Sequence, residues 1–92
     1  MIKSFKHKGL KAFFETGNLA GIQAAHAHRL RKLLRYLNSA KMPLDMDVPG
    51  WAFHALQGRL HGYFAVRVSG NWRLTFRFDG NDAIIVDYQD YH

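Results

Sequence analysis

Apolar residues recur at helical spacing through the first part of this chain and switch to alternation after Trp51. Leu30, Leu33, Leu34 and Leu37 stand at i, i+3, i+4 and i+7, a buried stripe that predicts a helix over residues 23–38. Leu10, Phe13 and Phe14 predict a shorter helix over residues 9–15, with Gly17 as its left-handed stop. Residues 2–5 alternate and predict a first strand. The long helix must end before Met42-Pro43, because proline disfavours helical geometry in the residue before it. Residues 42–50, with Pro43, Pro49 and Gly50, form a loop rather than a domain boundary, since neither flank can bury a core alone.

Period two takes over from there. Strands are predicted at residues 51–56, 63–68, 72–78 and 83–89, with a loop at 57–62 and turns at Ser69-Gly70-Asn71 and Asp79-Gly80-Asn81-Asp82. The pattern as a whole predicts one α+β domain over residues 1–92: two N-terminal helices on a mainly antiparallel sheet of four to five strands.

Register follows from the apolar positions. A three-residue turn sets Val68 opposite Trp72, Arg67 opposite Arg73 and Val66 opposite Leu74; a two-residue turn would mix apolar with charged positions. The next turn sets Phe78 opposite Ala83, and so Arg73 opposite Tyr88. Alternation then carries Asp90 and His92 onto the face of Arg67, Arg73 and Tyr88. Two arginines directly opposite each other repel, by a few tenths of a kcal/mol up to about 1. An anion held between them would reverse that sign. The opposing view is that Asp90 or the terminal carboxylate neutralises them.

Charge sharpens the picture. The net charge is +6 and the pI about 10.0. Residues 1–41 hold nine basic side chains against the single acid Glu15, whereas residues 42–92 hold four arginines against six aspartates. A basic helical half suggests a nucleic acid or an acidic protein as partner. Cysteine is absent, which removes disulfide frameworks and thiolate metal sites and fits a reducing cytosol. No apolar run is long enough to span a membrane, and no apolar stretch follows the N-terminal lysines as a secretory signal would require. The expected location is the cytoplasm.

The chain's last residues, Asp90-Tyr91-His92, bring a carboxylate, a phenol and an imidazole together. With Arg67 and Arg73 they supply acid, base and anion-stabilising groups, the requirements of a small nuclease that needs no metal or cofactor.

The opening Met-Ile-Lys-Ser-Phe, the Lys8-Gly9-Leu10-Lys11 run with paired aromatics after it, the segment from Arg67 to Phe76 and the end from Asp87 to His92 together resemble the HigB-type toxins of the RelE/ParE superfamily. The resemblance covers the whole chain and implies a RelE-like fold. It also implies a toxin neutralised by a HigA-type helix-turn-helix antitoxin, through which alone it would meet operator DNA. The implied activity is cleavage of messenger RNA in the A site of the 70S ribosome, by attack of the substrate's own 2′-hydroxyl on the adjacent phosphate.

On that resemblance Arg67 and Arg73 would stabilise charge, His54, Asp90 and His92 would be the acid/base candidates, and Tyr91 would orient or stack on the nucleotide. Gln57, Arg59 and Tyr63 would contact substrate. Relatives often carry lysine where this chain has Gln57; Arg59 or His61 would have to supply the missing charge. Lys3, Lys6, Lys8, Lys11, Arg29, Arg31, Lys32 and Arg35 would hold ribosomal RNA phosphates, or receive the antitoxin, without reading sequence. Two other classes remain open: a ParE-like toxin that binds DNA gyrase, and an inactive RNA-binding or co-repressor subunit.

The remaining histidines and aromatics have plainer readings. His26 and His28, two apart on a helix, do not face each other. His7 is expected at the solvent or RNA surface and His61 in a turn. Trp51, Trp72, Phe53, Phe76 and Phe78 are expected in the core or facing an antitoxin.

Overall fold

The structure is a computed structural model and describes residues 1–91. Two helices, α1 (Lys8–Thr16) and α2 (Ala27–Ser39), precede four strands: β1 (His54–Ala55), β2 (Phe64–Ser69), β3 (Trp72–Asp79) and β4 (Asp82–Asp90). The strands lie in sequence order in one sheet, antiparallel throughout. The α+β architecture expected from the sequence is the one observed.

Each helix has a local cause. The His7 ring Nδ1 accepts the Leu10 amide at 2.9 Å, capping α1. Gly17, at φ 81°, closes it by donating to the Phe13 carbonyl. His7 is therefore a half-buried cap packed edge-on against Tyr88, not the free surface group expected. The leucine stripe of α2 is fully buried. The helix begins later than predicted: residues Ala24–His26 form a 3₁₀ turn that brings the His26 ring inward, and α2 starts at Ala27. The loop at 42–50 holds a further 3₁₀ turn, Pro43–Met46, which buries Met46.

The helices cover one face of the sheet. Leu10, Phe13 and the α2 leucines pack with Val66, Val68, Leu74, Phe76, Ala83, Val86 and Tyr88 in a single core. Full burial of one such side chain stabilises the fold by about 1.5–3 kcal/mol.

Two predicted strands shrink. Residues 2–5 make isolated parallel bridges, Ile2 to Ala83 and Phe5 to Val86, in place of a continuous ladder. Residues 51–56 keep only the two paired residues of β1, because the chain bends at Trp51, whose ring is buried, and Ala52 takes φ 52°.

Register differs in two places. Arg67 faces Arg73 and Val66 faces Leu74 as predicted, but Ser69 rather than Val68 faces Trp72, Val68 being bulged out of the ladder. The larger departure is in β4. Phe78 faces Ala83 as expected, yet Arg73 faces Gln89, not Tyr88. One extra residue, Ile85 at φ 53°, is accommodated between Ile84 and Val86. The cause lies in the side chains. Without the bulge, Asp87 would fall opposite Leu74 in the core; with it, Val86 and Tyr88 are buried and Asp87 turns outward. Ser4 stabilises the bulge, its Oγ accepting the Ile85 amide at 2.8 Å and its carbonyl the Val86 amide at 3.1 Å.

Candidate active site

The face of the sheet away from the helices brings several of the candidate groups together. Residues 73, 75 and 77 of β3 alternate onto it, and the strand pairings extend it in rows. One row is Arg67, Arg73 and Gln89. The next is His54, Ala65, Thr75 and Asp87, in which Ala65 and Thr75 are fully buried and form a floor. Gln89 Nε2 donates to Thr75 Oγ1 at 3.0 Å and ties the two rows together. Beyond them, Arg77 lies over the Tyr63 ring, 5.4 Å from its centroid.

His54 is exposed, and its ring Nδ1 lies 2.9 Å from the Ala52 carbonyl. A carbonyl oxygen only accepts, so Nδ1 carries the hydrogen, which leaves Nε2 as the unprotonated nitrogen of the neutral tautomer. The positive φ of Ala52 is part of what brings that carbonyl to the ring.

Arg73 is held by its own turn: Nη1 donates to the Gly70 carbonyl at 2.7 Å and to the Trp72 carbonyl at 3.2 Å. Among the described residues, no carboxylate comes within ion-pairing distance of Arg67, Arg73 or Arg77. Among the described residues, the face therefore carries three guanidinium charges that no carboxylate neutralises by contact.

The bulge rearranges the tail relative to the sequence-based register. Tyr88 is withdrawn into the core, where its hydroxyl lies 2.6 Å from His26 Nδ1 and its ring 4.5 Å from that of Trp72. Asp90 pairs with Trp72, which puts it in the alternation of the helix-side face and not beside the arginines. Tyr91 takes the place on the arginine side: its phenol feels both Asp87 and Arg73. Burial, with Asp87 adding to it, pushes that phenol above its ordinary range, while Arg73 pulls the other way. Its hydroxyl is buried without a hydrogen-bond partner among the described residues. His92 lies outside the described residues.

Of the substrate-contact candidates, Gln57 and Arg59 are exposed in the turn after β1, and Tyr63 is half-buried at the start of the hairpin. Of the basic residues of the first half, Lys3, Lys6, Lys8, Lys11, Arg31, Lys32 and Arg35 are exposed, but Lys3 and Lys6 lie in the N-terminal segment bridged to β4 and not on a helix. Arg29 is engaged instead. Its Nη2 donates to the Arg67 carbonyl at 2.8 Å, Nε donates to the same oxygen at 3.2 Å, and the guanidinium lies over Trp51. Desolvation and then the Arg67 charge lower its pKa. Arg29 thus fastens α2 to the end of β2.

Sequence reasoning missed Arg77, Asp87 and Gln89. Arg77 was legible, since it stands four residues after Arg73 on an alternating strand. Asp87 and Gln89 became visible only with the bulge.

Fold and site together define a small α+β protein with an open, cationic sheet face backed by a basic helical layer, a surface suited to a polyanion. Residues 3–92 match the family of RelE-like HigB toxins of type II toxin-antitoxin systems, and the chain belongs to that family. It is 41% identical over 92 residues to the Endoribonuclease HigB of Proteus vulgaris, covering all of both chains. It is 31% identical over 94 residues to Toxin HigB-1 of Vibrio cholerae serotype O1, covering all of this chain and 98% of that one. An antitoxin is accordingly its expected partner. No helix among the described residues is long and apolar enough to cross a membrane.

Proposed function

We propose that this toxin is an endoribonuclease that cuts messenger RNA in the ribosomal A site and is neutralised by a HigA-type antitoxin. The observation that carries the reading is the pair Arg67 and Arg73, opposed and without a carboxylate partner among the described residues, one row from an exposed imidazole whose Nδ1 is held by a backbone carbonyl.

The substrate's 2′-hydroxyl loses its proton to His54 Nε2 and attacks the adjacent phosphorus in line. The 2′-O–P bond forms, the P–O5′ bond breaks, and a 2′,3′-cyclic phosphate remains on one fragment. Arg67 and Arg73 stabilise the added negative charge on the phosphoryl oxygens, a role for which guanidinium geometry is suited. The 5′-oxygen must gain a proton as it leaves. Tyr91, which burial holds in the protonated form, is on the arginine side to donate one, and His92, outside the described residues, is the other candidate for that step. Gln57 offers a hydrogen bond, and Arg59 in the same turn a charge, to a neighbouring phosphate.

Dependence on the ribosome is supported by the shape of the site. Clefts lie along α2, lined for example by Phe13, Arg31, Leu34 and Asn38, whereas Arg67 and Arg77 are exposed on the sheet face away from the helices. An open face orients a flexible strand poorly, and a second body that aligns the substrate would restore the advantage of proximity.

Primer extension on messenger RNA in a purified translation reaction tests the proposal. Wild-type protein should give codon-phased cuts that require translating ribosomes and vanish in an Arg73→Ala, His92→Gln double variant. Growth arrest in cells without such cuts would instead support gyrase binding.

A further inference from the structure

We propose that Tyr63 and Arg77 form a separate subsite that takes one nucleotide of a single-stranded RNA beyond the pair Arg67 and Arg73. The inference rests on the ribonuclease reading only for the path of the strand, since binding at the subsite needs no cleavage.

Three observations carry it. First, Arg77 shares the open face with Arg73 but stands two rows away, with the His54 row between them. Rows on one strand face are about 7 Å apart, comparable to one phosphate step of an extended single strand. A strand laid along β3 thus meets Arg73, then the His54 row, then Arg77. Second, the Arg77 guanidinium is exposed, lies over Tyr63, and makes no hydrogen bond or ion pair to a protein group among the described residues. A guanidinium stacked on an aromatic ring keeps its outer face for a base and its N–H edge for a phosphate. Third, a glycine stands beside the guanidinium. Gly62, at φ 95°, borders this edge, and a Cβ added there would come within 3.7 Å of Arg77 Nη2. A larger side chain at that position would narrow the approach to the pair.

The subsite would bind any base by its π-face, so it adds affinity and fixes how far the strand extends without choosing sequence.

A ladder of 2′-O-methyl RNA oligonucleotides, one to six nucleotides long and resistant to 2′-hydroxyl attack, gives the test by fluorescence anisotropy. For wild-type protein one added nucleotide should tighten binding by roughly fivefold to tenfold, the size of a single stacking contact. Arg77→Gln and Tyr63→Leu should each abolish that step, Tyr63→Phe should retain it, and Arg73→Ala should weaken every length while leaving the step in place. An abasic residue at the added position should also remove it. A smooth rise in affinity with length, or a step that survives both Arg77→Gln and Tyr63→Leu, would overturn the subsite. Codon-phased cleavage by a protein that lacks the step would leave the ribonuclease standing and remove the subsite. A step without cleavage would do the reverse.

Discussion

At the scale of the residue, the imidazoles divide by what their nitrogens meet. His54 has Nδ1 tied to a backbone carbonyl, which in the neutral ring leaves Nε2 for a proton, the tautomer a base requires. His54→Ala should lower the rate of messenger RNA cleavage by about 10²–10⁴-fold. The side chain is exposed, so the urea midpoint should not move; a shifted midpoint would show a structural role instead. His26 is buried and spends its Nδ1 on the Tyr88 hydroxyl, which also accepts the Gln23 amide at 3.4 Å. Tyr88→Phe leaves those groups unpaired and should cost about 1–3 kcal/mol in a denaturant titration.

The same phenol links folding to pH. Burial raises the Tyr88 pKa above the ordinary value of 10.0, with the Gln23 amide opposing. The unfolded chain therefore gives up this proton first as pH rises. The contribution is fully present below about pH 10 and is lost as pH climbs from there through the folded-state pKa. Melts at pH 8 to 11 should show a smaller alkaline loss for Tyr88→Phe than for wild type, and equal slopes would remove Tyr88 as the source.

At the scale of the element, β4 carries a conflict between local geometry and side-chain placement. A β-branched residue at positive φ is strained by roughly 1–2 kcal/mol, yet Ile85 holds that conformation. The strain persists because the alternative buries Asp87. Ile85→Gly should therefore lose side-chain packing but recover strain, whereas Ile84→Gly, in regular pairing with Arg77, loses packing and recovers none. The Ile85 variant should be the more stable of the two by about 1 kcal/mol or more. Equal destabilisation in urea would show the bulge to be unstrained.

The bulge also sets which tail residue meets the arginines. That is why the sequence-based register, correct for Arg67 with Arg73 and for Phe78 with Ala83, failed for everything after Ile85. The signal was present in the burial of Ala83 and Val86, three apart rather than two or four. It was not legible because Ile84, Ile85 and Val86 are all apolar, so a run of them fits either register.

At the scale of the whole molecule, charge is distributed over two surfaces. The helices expose Lys8, Lys11, Arg31, Lys32 and Arg35, the N-terminal segment bridged to β4 exposes Lys3 and Lys6, and the sheet face away from the helices exposes Arg67 and Arg77. A polyanion larger than one RNA strand can engage both. Binding to ribosomal RNA should weaken steeply with salt. Lys32→Glu with Arg35→Glu should reduce the slope of log affinity against log salt by about one for each phosphate no longer neutralised. Cleavage positions should stay where they are, because such cationic groups position the RNA without reading its sequence. A change of cut sites in that variant would place codon choice on the helices.

The sequence by itself determined the α+β class, both helices, the hairpins and the opposed arginines, because those depend on local periodicity and turn chemistry. The resemblance in its motifs pointed to the HigB toxins, and the full-length match bears this out. The tertiary structure decided which residues share the sheet face of Arg67 and Arg73. Arg29 is taken up by the Arg67 carbonyl, Tyr88 by the core and His7 by a helix end, while Arg77 and Tyr91 join the open side. The physical reason is that alternation is propagated from pairing to pairing. A single inserted residue, stabilised by a serine 81 positions away in the chain, inverts all that follows.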